Sequence, residues 1–189
     1  MSLADTRDPQ HPYPSSGSRL AKAVLDRIGA AVLLLPCAPW LLLVATLLWF
    51  QDDGPVLTRE TRVGQWGRCF DVLRFRTGAT GVGAALRRFN LDELPQLINV
   101  LKGDMSFVGP RPRHPEQARL EQPYPWLSVK PGLTHPWLPD SAPRTRENAS
   151  LALDGYMRNW SVGTDLRIMW HALRGALGGT ATGTAGDRS

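Results

Sequence analysis

The sequence predicts an α/β chain: a mostly helical, membrane-associated domain with a small β element. Three observations predict it. The stretch Ile28–Phe50 carries no charge and is long enough to span a bilayer. Two short strand-like runs follow it around a glycine-containing turn. Later segments then carry apolar residues at helical spacing.

The 189 residues fit one domain plus a membrane element. A net charge of +5 and a sequence pI near 9.8 favour anionic partners: nucleic acid, nucleotide or anionic lipid. Nucleic acid is the weakest of these. The chain has no recognition-helix pattern, no paired Cys/His spacing and no aromatic RNA-binding strand motif. Cys37 and Cys69 stand apart, which argues against both a disulfide framework and a zinc site. His11, His114, His135 and His171 are scattered, so a histidine metal site is not expected, and no internal repeat is visible.

Residues 1–18 are rich in Pro, Ser, His and charge and read as a disordered leader, too polar for a secretory signal. Residues 19–51 form the membrane element. Arg19, Lys22 and Arg27 flank its start. Pro36 and Pro39 fall in its middle, where each removes a backbone donor and crowds the preceding turn, so a sharp bend is expected. A spanning helix and a helix–break–helix hairpin that re-enters one leaflet both remain open on the residues alone.

Residues 52–177 form the main domain. Asp52-Asp53-Gly54-Pro55 is a turn. Pro55–Arg59 and Cys69–Arg76 read as strands around the Gly64–Gly67 turn, and Arg74 and Arg76, two apart, share a strand face. Thr77–Ala84 reads as a glycine-rich loop. Leu91, Leu94, Leu97, Ile98 and Leu101 mark a helix, with Asn90 or Asp92 as its cap. Pro95 favours Asp92, because proline is tolerated only in the first turn, and Gly103 ends the helix. Pro131-Gly132 opens a loop. Arg146–Arg158 and Asp165–Leu177 read as amphipathic helices, whose Tyr156, Trp160 and Trp170 suit either a core or a lipid interface. Residues 178–189 read as a disordered tail.

The chemistry concentrates between Asn90 and Arg113. A helix N-terminus favours an ionised carboxylate at Asp92. An ionised aspartate attacks phosphorus or binds magnesium that bridges phosphates. Glu93 follows directly, and at a first turn both acids can face the space beyond the helix end. Arg111 and Arg113, set between Pro110 and Pro112, offer planar charged forks suited to phosphate oxygens. Each half has a plain structural reading, as capping acids and as an exposed basic turn. Their coincidence behind a membrane segment points to a phosphate site.

With these residues in view, most of Lys22–Leu173 resembles the bacterial sugar transferases, the small monotopic phosphoglycosyl transferases. The likeness is carried by Lys22…Asp26, Pro39, Gly54-Pro55-Val56, Arg62-Val63-Gly64, Arg74-Phe75-Arg76-Thr77, Leu91-Asp92-Glu93-Leu94-Pro95-Gln96-Leu97, Asn99–Ser106, Val108–Pro112, Lys130–Thr134 and Asn159-Trp160-Ser161. The resemblance implies a monotopic enzyme at the cytoplasmic face of the bacterial inner membrane, with a re-entrant helix hairpin marked by Asp26 and Pro39, to which this chain adds Pro36 as a second breaker. It implies transfer of a sugar-1-phosphate from a nucleotide diphosphosugar, usually a UDP-sugar, to undecaprenyl phosphate, initiating exopolysaccharide or glycoconjugate assembly. Asp92 would be the nucleophile of a covalent phosphosugar intermediate. Glu93 would complete the dyad and help hold Mg2+. Arg111 and Arg113 would hold phosphates, and Arg62, Arg74 and Arg76 would line the polar site. Membrane lipids are implied partners, nucleic acid is not, and a homo-oligomer is left open.

The chain also departs from that pattern. Gly78 stands in place of a methionine, the stretch before Leu91 is short, and a glycine-rich loop ending in Gly-Arg-Asn is replaced after Thr134 by His135-Pro136-Trp137-Leu138-Pro139, with Arg144 as the substitute arginine. A catalytically impaired membrane scaffold of the same family is therefore the rival expectation.

Overall fold

The computed structural model describes residues 16–51, 54–78, 81–88, 90–120, 125–136 and 146–177. Residues 1–15 of the expected leader, the expected tail, Arg144 and the Asp52-Asp53 half of the first turn lie outside them, while Ser16, Gly17 and Ser18, expected as leader, are helical.

The apolar stretch forms one helix, α1, Ser16–Gln51, with Pro36 and Pro39 inside it. The expected break is therefore not an end of the helix. A proline removes one hydrogen bond and crowds one turn, while the turns on either side keep theirs. A narrow stripe faces the domain: Asp26, Ala30, Val44 and Leu48 are buried, whereas Ile28, Val32, Leu35, Trp40, Leu42, Trp49 and Phe50 are exposed. The stripe recurs at helical spacing, and the rest of the surface is apolar.

Both ends of α1 are fastened to the same domain. Near the start, Lys22 Nζ donates to Asp165 Oδ2 at 2.5 Å and Ser106 Oγ donates to Asp26 Oδ2 at 2.7 Å. At the end, Arg76 Nη2 donates to the Leu48 carbonyl at 3.3 Å and the Val82 N–H to Gln51 Oε1 at 3.3 Å. From Lys22 to Gln51 is roughly 44 Å of helix contour at about 1.5 Å per residue.

β1, Leu57–Val63, and β2, Cys69–Phe75, form an antiparallel hairpin in the register Leu57↔Phe75 to Val63↔Cys69. β1 runs on past the expected Arg59, because Thr61, Arg62 and Val63 continue the ladder. At the turn Trp66 and Gly67 take positive φ, 60° and 73°. The expected loop Thr77–Ala84 gives way at Gly81 to a helix, α2, Gly81–Arg88. Its Leu86 packs with Val44, Leu48 and Phe75, and that burial outweighs the weak propensity of its glycines. Gly83 is needed there: a Cβ would come within 2.4 Å of the Gly78 nitrogen.

The helix expected from Asp92 starts later. Leu91–Glu93 is a 3-10 turn, and α3 runs from Gln96 to Lys102. Pro95 has no N–H to give Leu91, so the chain tightens before the α-helix begins. Asp92 thus lies inside this turn rather than capping α3. Gly103 ends α3 at φ 90°, as expected.

α3 is bonded to the hairpin through Asn99, which is 1% exposed. Its Nδ2 donates to the Asp71 carbonyl at 2.7 Å and its Oδ1 accepts from the Leu73 N–H at 3.1 Å. The amide thus occupies the β2 edge that β1 leaves open.

β3, Ser106–Val108, pairs in parallel with β4, Gly132–Thr134, where a loop was expected. Short helices α4, Pro115–Leu120, and a 3-10 turn at Pro125–Ser128 connect them. α5, Arg146–Arg158, and α6, Val162–Leu177, close the domain. Their aromatic and apolar residues divide. Tyr156, Met157 and Ile168 join Leu97, Val100, Met105 and Phe107 in the main core. Leu151, Val162, Leu166, Trp170 and Leu173 stay exposed.

Candidate active site

One pocket gathers charge from four parts of the chain. It is lined by Glu60, Arg62, Val72, Arg74, Glu93, Gln96, Arg111, Pro112, Gly132, Leu133 and His135. The hairpin supplies one wall. Glu60 and Arg62 are two apart on β1, and Val72 and Arg74 two apart on β2, so each pair shares a face. Arg62 Nη2 donates to Glu60 Oε2 at 2.5 Å, and its side chain is 11% exposed. That bond holds the Glu60 carboxyl below its ordinary value, with Arg74 and His114 helping and burial opposing.

Glu93 brings the acid run to this wall. Its carboxylate accepts from Arg74 Nη2 across a partly buried ion pair. Arg74 Nε is buried with no hydrogen-bond partner among the described residues. A buried, orphaned guanidinium N–H calls for an acceptor, and a phosphate oxygen matches it in charge and geometry. Asp92, one residue earlier, is buried at 8% exposure and is not among the lining residues.

The opposite wall comes from the ends of β3 and β4. The Gly109 N–H donates to the Thr134 carbonyl at 3.0 Å, and the Gly132 N–H to the Pro110 carbonyl at 2.9 Å. A Cβ on Gly132 would approach the Gly109 nitrogen to 2.0 Å, so the two backbones need glycine to meet. Arg111 follows β3 into the pocket, and His135 follows β4. Arg113 is tied by its backbone, whose carbonyl accepts from the Val63 N–H at 2.8 Å. Burial first, then Arg111 and Arg113, pushes the His135 pKa down to about 4.

The structure therefore brings together Arg62, Arg74, Glu93 and Arg111. It places Arg76 elsewhere, on the carbonyl at the end of α1, and Arg113 on the hairpin end. Asp26 lies on the buried stripe of α1, away from the pocket, with Lys22 at 3.7 Å and Ser106 at 2.7 Å. Sequence reasoning missed Glu60, Gln96 and His135. The signal for Glu60 was its i,i+2 spacing to Arg62. For Gln96 and His135, only the fold brings them in.

A magnesium ion is implied by the resemblance. Among the described residues no three His, Cys, Asp or Glu side chains gather as a cage. Mg2+ does not require one, since one or two carboxylates plus substrate phosphates suffice. Glu93, lining a pocket of arginines, with buried Asp92 beside it in the chain, fits that sparse mode.

Comparison with known proteins agrees with this geometry. The family model "Bacterial sugar transferase" matches residues 17–179. The chain is 35% identical over 194 residues to the UDP-glucose:undecaprenyl-phosphate glucose-1-phosphate transferase of Caulobacter vibrioides, covering 87% of this chain and 72% of that protein. It is 32% identical over 190 residues to the exopolysaccharide production protein ExoY of Rhizobium meliloti, covering 82% and 84%. It is 36% identical over 193 residues to the UDP-glucose:undecaprenyl-phosphate glucose-1-phosphate transferase of Escherichia coli, covering 86% of this chain and 41% of that protein. With a match spanning nearly the whole chain and a phosphate-suited pocket in its middle, the chain belongs to the bacterial sugar transferase family.

Proposed function

We propose that the protein is a phosphoglycosyl transferase that moves a sugar-1-phosphate from a nucleotide diphosphosugar, a UDP-sugar by preference, to undecaprenyl phosphate. The observation that carries this is the pocket in which Arg74, with its orphaned Nε, stands beside Arg62, Arg111 and Glu93. Three fixed guanidiniums neutralise a diphosphate and the charge that builds as it is cleaved.

In this reading Asp92 is the nucleophile. One carboxylate oxygen attacks the phosphorus that bears the sugar, and the bond to the nucleoside monophosphate breaks. An oxygen of the lipid phosphate then attacks the same phosphorus and frees Asp92. Burial supports that role, because a nearly dry carboxylate has shed the water that blunts it. Glu93 takes the proton of the lipid phosphate. Before the donor binds, Glu93 is held by Arg74; a donor phosphate competes for that guanidinium and releases the carboxylate. Mg2+, held by Asp92 and Glu93, would supply charge neutralisation of the phosphates.

The membrane seating follows from α1. The domain holds both Lys22 and Gln51, so both ends of the helix lie on one side of a bilayer whose apolar core is about 30 Å thick. This supports a monotopic protein seated by the exposed apolar face, on the cytoplasmic side of the bacterial inner membrane, where nucleotide sugars are made.

The test uses purified full chain, a panel of radiolabelled UDP-sugars, undecaprenyl phosphate and magnesium. Transfer of label to lipid is expected, and Asp92→Asn should lower it roughly a thousandfold or more. Undiminished transfer by Asp92→Asn overturns the covalent role. No transfer or donor cleavage by the wild type across the panel favours a catalytically silent membrane scaffold instead.

A further inference from the structure

The pocket is crowded with formal charge, and His135 is the exception that the phosphate chemistry does not use. It leaves β4 where the backbone bonds between Gly109 and Thr134, and between Gly132 and Pro110, fix the two strand ends against each other. It is partly buried and followed by buried Pro136. Arg111 leaves the adjacent strand into the same pocket. Arg62 and Arg74 already serve carboxylate oxygens there, and Arg111 adds a third guanidinium. At neutral pH the imidazole is uncharged and carries one N–H donor and one acceptor nitrogen. That pairing suits a hydroxyl, which both accepts and donates, better than a phosphate, which only accepts. Glu93 and Arg74 stand in the same pocket, so on the transfer reading a donor phosphate held by Arg74 brings the sugar it bears toward His135.

We propose that His135 is a specificity-determining residue of the donor site, its imidazole hydrogen-bonding a hydroxyl of the transferred sugar. The inference rests on the phosphoglycosyl transfer reading above. It assigns sugar choice to the strand end where this chain carries His135-Pro136.

His135→Ala in the full-length protein tests it. The donor KM should rise about tenfold for the preferred UDP-sugar, as for one lost neutral hydrogen bond, with kcat and the KM for undecaprenyl phosphate little changed. His135→Gln, which keeps a donor and an acceptor, should recover most of the loss. A donor lacking the recognised hydroxyl should lose its disadvantage in the alanine variant. Inhibition by free UDP should be the same in both proteins. If the alanine variant does not fold, His135→Phe keeps the volume, removes both nitrogens and gives the same readout. An unchanged donor KM, or equal weakening of UDP and UDP-sugar, overturns the inference while leaving the transferase reading intact. A wild type that transfers nothing overturns both.

Discussion

Asn99 offers the sharpest test of how the site is held. Its side-chain amide is the bond between α3, which carries the acid turn, and β2, which carries Arg74. Replacing Asn99, itself 1% exposed, by alanine removes the partner of the Asp71 carbonyl and of the Leu73 N–H, two part-buried bonds. An orphaned group costs about 1–3 kcal/mol when fully buried, so about 2–6 kcal/mol is the upper bound for this part-buried pair. The 3.1 Å bond is the weaker of the two, which favours the lower half of that range. A loss of about 3 kcal/mol corresponds to roughly 6–12 °C in melting temperature for a chain of this size. Asn99→Asp is the more telling variant. It keeps the size and one acceptor, yet turns a carboxylate oxygen toward the Asp71 carbonyl, so it should cost at least as much as alanine. Urea unfolding of detergent-solubilised protein, followed by tryptophan fluorescence, measures both. A loss below about 1 kcal/mol for alanine, or wild-type stability for aspartate, refutes the bridge.

Two further predictions follow from the anchoring network and the buried histidine. Asp165→Ala removes the acceptor shared by Lys22 at 2.5 Å, Tyr156 at 2.6 Å and Trp160 at 3.1 Å. It should destabilise the protein by roughly 3 kcal/mol, discounted for the partial exposure of Lys22, and speed tryptic cleavage at Arg19 and Lys22. Cleavage at the wild-type rate counts against that anchor. The pH dependence has a definite sign. His135 takes up a proton less readily in the fold than in the open chain, so its contribution is whole above about 6.5 and is lost as the pH falls toward about 4. Arg111 and Arg113 face it and oppose its protonation, while Glu60 and Glu93 line the same pocket. Glu60, held low by Arg62, adds a further loss at more acid pH. His135→Gln should flatten the stability profile between pH 4.5 and 6.5, and an unchanged profile contradicts the assignment.

What the sequence revealed was mostly local. The hairpin, Gly103 as the end of α3, and the paired helices α5 and α6 follow from spacing and turn chemistry. The acid turn and the Arg111 segment were visible because charged types clustered beside prolines. Other features depended on distant partners. α2 is rich in glycine and owes its form to Val44, Leu48 and Phe75. β3 and β4 are three residues each, too short to show a period, and exist because Gly109 and Gly132 let their backbones meet. Asn99 looked like one more polar residue in an amphipathic run, because an edge to be capped is a property of the sheet. The tie between Lys22 and Asp165 spans 143 positions, beyond any local pattern.

Fastening α1 at both ends makes membrane depth and site height a single quantity. The domain cannot swing on a linker toward or away from the lipid while Lys22 and Leu48 are both held. However deep Leu35, Trp40, Leu42 and Trp49 sit, Glu93 and Arg111 stand at a level fixed by that depth. A change on the outer greasy face that lifts the helix lifts the pocket equally. On the proposed transfer to a lipid phosphate, residues that never meet a reactant would tune the reaction by deciding how far that phosphate must rise to be reached.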